Sequence, residues 1–161
     1  HAPDRHRMSI RHWLMKSEPD TFSLDHLAAM PRCTTMWDGV RNYQARNMLR
    51  DDMQRGDLAF FYHSNCAEPG IVGIVEVVRA GYPDPSAFNP ESPYFDPKSD
   101  PAQPRWYVVD VRLKQRLKRT ITLGELKTAP ELAGMALVRR GNRLSVLPVP
   151  AAEWQFILDL E

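Results

Sequence analysis

Apolar residues fall along this chain in short blocks separated by polar turns. Trp13, Leu14 and Met15 belong to a block from Arg11 to Ser17 that reads as a strand. It stops at Ser17-Glu18-Pro19-Asp20, a turn whose proline cannot donate to a ladder. Ser23 stands as an N-cap before Leu24, Leu27 and Ala28, the i, i+3, i+4 spacing of a short helix that runs through Met30 and ends at Pro31. A second helix is predicted over 42–53, with Ala45, Met48, Leu49 and Met53 inward and Arg46 and Arg50 on another face. Leu58 to His63 is apolar on both faces, as a central strand is, and a short turn joins it to the Val- and Ile-rich strand Ile71 to Arg79. Arg105 to Lys118 shows the clearest period of two. Tyr107, Val109, Val111, Leu113 and Leu117 lie on one face, and Trp106, Asp110, Arg112, Lys114, Arg116 and Lys118 on the other. Thr122-Leu123-Gly124-Glu125 is a capping box for a short helix. Leu144 to Leu147 reads as a last short strand, and Pro150 to Leu160 as a helix with Trp154, Ile157 and Leu158 inward.

Between the Val-rich strand and the period-two strand, residues 80–104 carry seven of the fourteen prolines. No long regular element survives such a density of proline, and a loop of this length in a small domain is commonly functional. Its aromatics, Tyr82, Phe88, Tyr94 and Phe95, argue against a disordered tail. Strands and helices do not alternate, and the two strands joined by a short turn must be antiparallel. The expected fold class is therefore α+β, a curled antiparallel sheet or small β-barrel flanked by short helices.

Length sets the organisation: 161 residues make one domain, read as 11–161, with residues 1–10 an upstream extension or tag remnant. No apolar run reaches the ~20 residues that cross a bilayer. Cys33 and Cys66 have no metal-ligand spacing, and no cofactor or metal is expected. A reducing, cytoplasmic compartment fits this cysteine usage. The net charge of +1 lacks the basic excess of a protein that coats duplexes, so any nucleic-acid role must rest on a local patch or pocket.

No catalytic motif stands out. His63 and Ser64 are adjacent and Asp38, Glu18 and Ser145 are available, but chains of this length supply loose Ser, His and Asp by chance, and a triad is a matter of geometry. A nucleotide loop, a GxSxG elbow, HExxH and the deaminase zinc pattern are all missing, which disfavours an enzyme. The stronger signal is aromatic and polar residues gathered at strand ends and turns. Trp37 precedes Asp38-Gly39-Val40-Arg41-Asn42, where the glycine lets the backbone approach a ligand. Tyr62-His63-Ser64-Asn65 closes a strand, Trp106 lies on a polar face, and Tyr94 and Phe95 are in the long loop. Flat rings with convergent hydroxyl, amide and backbone groups suit a planar heterocycle. Trp13 and Trp154 read as core; Trp37 and Trp106 are open to either role. The basic set Arg112, Lys114, Arg116, Lys118 and Arg119 reads as a solvated strand face, whereas Arg139-Arg140-Gly141-Asn142-Arg143 could clamp a phosphate or a base edge.

The same residues carry a family likeness. The runs Trp13 to Pro19, Trp37 to Asn47, Phe61 to Asn65, Gly70 to Gly73, Tyr82 to Pro85, Pro104 to Tyr107 and Arg140 to Val146, in this order, resemble an EVE domain over nearly the whole chain from about residue 11. The resemblance implies a PUA-like fold, a curled β-barrel flanked by helices, close to YTH and ASCH domains. It further implies a reader of modified nucleobases, chiefly 5-methylcytosine and related cytosines in DNA, with DNA or RNA as the partner of this chain. The stretches Lys16-Ser17 to Trp37 and Phe61 to Val77 are also similar to YTH domains, which hold N6-methyladenine in a tryptophan cage. By that analogy Trp37 is one wall and Tyr94 or Phe95 the facing one. The expected base pocket is Ser17, Trp37, Asn42, Tyr62, His63, Ser64, Tyr94, Phe95, Trp106 and Ser145, and the expected phosphate contacts are Arg41, Arg105, Arg140 and Arg143. The partner is nucleic acid bearing a modified base, with no membrane contact, in the cytoplasm, on the nucleoid of a bacterium or in a eukaryotic nucleus. Three other readings stand beside it: an RNA-binding PUA-like protein, a sensor of a free heterocycle and an enzyme acting on a nucleobase.

Overall fold

The computed structural model describes residues 9–161; the expected extension falls mostly on residues 1–8, outside the described residues. Six strands form one sheet: β1 (His12–Ser17), β2 (Thr34–Met36), β3 (Leu58–His63), β4 (Gly70–Pro83), β5 (Tyr107–Thr122) and β6 (Val146–Pro148). Their order across the sheet is β2-β5-β4-β3-β1-β6.

The sheet corrects the expected fold class in two respects. It is mixed rather than antiparallel, because β1 and β3 run parallel, with Trp13 opposite Ala59 and Ser17 opposite His63. A parallel pair needs a long crossover. Residues 18–57 supply one, carrying α1 (Leu24–Ala29) and α2 (Tyr43–Asn47) over one face and the edge strand β2 between them. The sheet also stays open: its outer strands, β2 and β6, are three residues each and lie at opposite edges, so it does not close into a barrel. Register irregularities concentrate in the two long strands. The β4–β5 ladder slips register four times between Ile71 and Tyr82, and each slip bends the strands and adds twist.

Both faces are covered. Period two on β1 and β3 divides the residues: Trp13, Met15, Ala59 and Phe61 join one core cluster with Leu24, Leu27, Trp37, Ala45 and Leu49. Leu14, Phe60 and Tyr62 join the other, under α3 (Leu123–Thr128) and α4 (Ala151–Leu160), where Trp154 stacks on Phe60 at 3.8 Å. Trp13 and Trp154 are thus core, and β3 is central. Buried Asp57 ties the start of β1 to the turn before β3. It accepts from Trp13 Nε1 at 3.0 Å and from the Gln54 N–H at 3.0 Å.

Local signals set the helices. Ser23 caps α1 with a reciprocal His26 contact, Asn42 caps α2 and Thr122 caps α3. The helix expected over 42–53 changes hand-over after Asn47. The Met53 N–H reaches back five residues to the Met48 carbonyl, a single wide turn over Met48–Asp52. Here the backbone of Gly81 presses on the Leu49 carbonyl, which a Cβ would approach to 2.4 Å. The Pro-rich loop is shorter than expected, since β4 continues to Pro83. Beyond a turn at Pro85–Phe88 it is held by side-chain-capped bends, in which Asn89, Asp96 and Asp100 each accept the N–H two residues on.

Candidate functional site

Three strand ends meet at one edge of the parallel pair. β1 lies between β3 and β6, so the Ser64 N–H donates to the Ser17 carbonyl at 2.9 Å and the Lys16 N–H donates to the Ser145 carbonyl at 2.8 Å. Ser17, Ser64 and Ser145 therefore stand side by side. Ser17 Oγ donates onward to the Phe22 carbonyl at 2.5 Å, closing the turn after β1. Trp37 follows β2 and is held by its N–H on the Val109 carbonyl at 2.8 Å. Its indole meets the Phe61 ring edge-on, centroids 5.5 Å apart at 86°. The indole is only 7% exposed, yet it borders a cleft of about 740 Å³. That volume falls within the range of small-molecule sites. Ser17, Trp37, Arg41, Ser64, Tyr94, Arg143 and Ser145 line this cleft, so seven residues singled out in the sequence come together there.

One buried carboxylate braces the turn that follows Trp37. Asp84 is fully buried and accepts four hydrogen bonds: from the Gly39 N–H at 3.1 Å, Arg41 Nη1 at 3.0 Å, the Ser86 N–H at 2.8 Å and Ser86 Oγ at 2.6 Å. Arg41 Nη2 also donates to the Tyr94 carbonyl at 2.6 Å, and the guanidinium lies 5.3 Å from the Trp106 ring. The long loop is thereby clamped to the turn after Trp37. Gly39 makes the close fit possible: its φ is +80°, and a Cβ there would lie 2.6 Å from the Tyr94 ring. Tyr94 consequently rests on bare backbone two residues from the indole.

The other expected residues have different places. Arg41 borders the cleft, but its guanidinium is engaged with Asp84 and Tyr94 rather than offered to a phosphate. Asn42 is the cap of α2, accepting the Ala45 N–H at 3.0 Å. Tyr62 belongs to the opposite core face from Trp37, because alternation on β3 turns it away from Phe61. Burial, with the nearby Cys66 thiol, pushes its phenol up to about 12. His63 Nε2 accepts the Leu24 N–H at 3.1 Å at the start of α1, and burial lowers its pKa against the opposing pull of Asp25. Trp106 stacks on Tyr43 at 4.8 Å and donates from Nε1 to Asp96 at 2.7 Å, which pins the loop. Phe95 is exposed and outside the cleft. The Arg105 carbonyl accepts from Arg46 Nη1 at 2.6 Å. Arg140 lines a second cleft of about 760 Å³, together with Lys16, Lys127, Arg139 and Tyr62. Lys16 borders both clefts, and burial lowers its pKa.

Sequence reasoning passed over Asp84 and the lining role of Asp38. Asp84, between Pro83 and Pro85, is the cap of the turn Pro85–Phe88, and the Asp-Pro-Ser pattern was its visible signal. Asp38 lines the cleft half-buried, and its pKa is raised by burial and then by the Asp84 charge, with its own backbone N–H and Arg41 pulling the other way. Among the described residues, no group of three or more His, Cys, Asp or Glu is placed to hold a metal ion, and no helix is long and apolar enough to cross a membrane.

The sequence of this cleft-bearing sheet matches a family model, described as the EVE domain, over residues 11–160. The chain belongs to the EVE domain family. Among curated relatives, human thymocyte nuclear protein 1 is 47% identical, with 93% of this chain and 73% of the relative covered. A crystal structure of human THYN1 in complex with 5-methylcytosine-containing DNA superposes with a TM-score of 0.88 at 46% identity, covering 93% of this chain and 96% of that one. A crystal structure of a Pseudomonas syringae protein also gives a TM-score of 0.88, at 48% identity, covering 92% of this chain and 98% of that one. The YTH domain of Zygosaccharomyces rouxii MRB1, solved with N6-methyladenosine RNA, shares the fold at a TM-score of 0.54 and 17% identity, covering 95% and 87%.

Proposed function

We propose that this EVE domain is a non-catalytic reader that takes one modified base of the 5-methylcytosine type, in nucleic acid, out of its stack and into the cleft beside Trp37. The observation that carries this reading is the open cleft at the junction of β1, β3 and β6, bordered by the Trp37 indole and the Tyr94 ring. The DNA complex of human THYN1, at 46% identity, supports the same ligand class. Swinging a base out costs a few kcal/mol in a duplex and little in a single strand. Stacking on an aromatic face returns roughly 1–3 kcal/mol. Ser17, Ser64 and Ser145 are the hydroxyls nearest the base edge. Arg143, exposed on the rim, and Lys16 and Arg140 beyond it meet the flanking phosphates. A methyl group adds only about 0.8 kcal/mol of apolar burial, so discrimination by the methyl alone is a few-fold.

A binding role also fits the hydrogen bonding. The His63 ring nitrogen Nε2 is occupied by the Leu24 N–H, and Ser17 Oγ donates to the Phe22 carbonyl, so both groups serve the local fold. Such a reader works wherever its nucleic acid is, in the cytoplasm, on a nucleoid or in a nucleus. The test is a binding screen at fixed salt with single- and double-stranded DNA and RNA carrying cytosine or 5-methylcytosine, beside the free nucleoside. Tighter, salt-dependent binding to the methylated oligonucleotides is expected. Equal binding to every oligonucleotide, or salt-independent binding of the free nucleoside alone, would refute the proposal.

A further inference from the structure

We propose that Asp38 selects the base by accepting a hydrogen bond from the exocyclic 4-amino group of a cytosine-type pyrimidine held in the cleft. The inference rests on the base-reading function above and names the chemistry of its ligand.

The chemical problem is specific. 5-Methylcytosine and thymine carry the same methyl group on rings of the same size. Stacking on Trp37 and contact with the methyl treat them alike. They differ at position 4, an amine that donates in one and a carbonyl oxygen that accepts in the other. A cleft that separates them needs an acceptor at that edge.

Several acceptors at and beside the cleft already have donors. The Ser17 and Ser145 carbonyls take the N–H groups of Ser64 and Lys16. Asp84 is closed by Gly39, Arg41 and Ser86. Glu18 is exposed and accepts from Asn65 at 3.3 Å. Asp38 differs from all of these. It lies between the Trp37 indole and the Gly39 turn, lines the cleft and is half-buried. Among the described residues, no other residue forms an ion pair or hydrogen bond with its carboxylate. The neighbouring cation, Arg41, is engaged with Asp84 and the Tyr94 carbonyl.

A half-buried carboxylate in that state costs desolvation energy in the free protein, as its raised pKa reflects. At the mouth of a nucleic-acid site it also repels phosphates. A ligand amine offsets both costs, and carboxylates are the natural acceptors for the cytosine amine. The carbonyl of thymine or uracil would instead face the carboxylate oxygen to oxygen. That is a repulsive element against the wrong ligand, stronger than any methyl contact.

The experiment measures affinities of the full chain and of Asp38→Asn for oligonucleotides identical except at one position, which carries 5-methylcytosine, cytosine or thymine, at one salt concentration. The wild type is expected to bind the 5-methylcytosine strand at least about tenfold more tightly than the thymine strand. In Asp38→Asn this ratio should fall to within about threefold, with thymine binding held or raised, because an amide can donate to the carbonyl. Asp38→Ser, which removes the carboxylate and places no amide there, should give the same collapse and guards against a folding defect in the first variant. An unchanged ratio in both variants overturns the inference while leaving the reader function standing. Equal weakening of all three strands overturns it too, as the mark of a merely structural residue. Failure of the wild type to bind any of the strands removes both conclusions.

Discussion

Arg41 offers the sharpest separation between a ligand contact and a structural one. Sequence reasoning placed it on a phosphate; the structure places its guanidinium between Asp84 and the Tyr94 carbonyl. Its side chain is 24% exposed and that of Asp84 is fully buried. Arg41→Ala deletes four guanidinium hydrogen bonds, to Asp84, Ser86 Oγ and the Tyr94 and Val40 carbonyls, and leaves a buried carboxylate with three remaining donors, the Gly39 N–H, the Ser86 N–H and Ser86 Oγ. Stripping one partner from a buried pair costs about 3–5 kcal/mol when the survivor is orphaned. The three remaining donors keep Asp84 solvated, so the lower end, about 3 kcal/mol, is the working figure. In a chain of this size each kcal/mol moves Tm by roughly 2–4 °C, so a fall of about 6–12 °C is expected. Thermal melting followed by circular dichroism reads this directly. Asp84→Asn in the same background completes a double-mutant cycle, which should give a coupling of at least about 1 kcal/mol. A phosphate contact would behave in the opposite way. Tm would stay within about a degree and the salt dependence of oligonucleotide binding would lose about one unit of slope. That pair of results would refute the strut assignment.

Trp37→Ala is expected to weaken binding to a 5-methylcytosine oligonucleotide at least about tenfold, measured by fluorescence anisotropy. Because the indole is buried against Phe61, the same change should cost about 3 kcal/mol of stability while the circular dichroism spectrum keeps its fold. Arg143→Ala should weaken methylated and plain strands alike and reduce the salt slope by about one; selective loss of the methylated strand would make it a base reader. His63 must be neutral at Nε2 to accept the Leu24 N–H, and burial holds its folded pKa below the ordinary 6.5. The folded state thus binds fewer protons than the unfolded one. Its contribution is complete above the unfolded value and is lost as pH falls through the folded one. His63→Gln should therefore flatten the fall in denaturation midpoint as the pH drops below the ordinary 6.5, leaving the share of His12, whose pKa burial also lowers.

What could be read from the sequence was what neighbouring residues decide. The two-sided apolar run of β3 fixes a central strand whatever its partners, and Ser23 and Thr122 cap their helices through atoms three residues away. The parallel β1–β3 pairing was invisible because antiparallel and parallel strands share one hydrophobic pattern; only the crossover of residues 18–57 distinguishes them. β2 escaped because three residues, Thr34–Met36, hold too little alternation to detect. At the site the division is the same. Trp37, Ser17, Ser64 and Ser145 were found because each ends, follows or precedes a strand, and strand ends converge where strands adjoin. Arg41, Asn42, Tyr62 and Trp106 carry the same chemistry in turns or near strand ends. Their roles were settled by partners elsewhere: Asp84, forty-three residues from Arg41, and Asp96, ten from Trp106, with Tyr62 assigned by which face of β3 Phe61 occupies. A polar or aromatic residue near a cleft becomes available to a ligand only when no distant segment satisfies it first. By that criterion Asp38 stands apart from the neighbouring carboxylates. Asp84 is satisfied by residues of its own chain, and Glu18 is out in solvent, so Asp38 is where an arriving base meets an acceptor still in need of a donor.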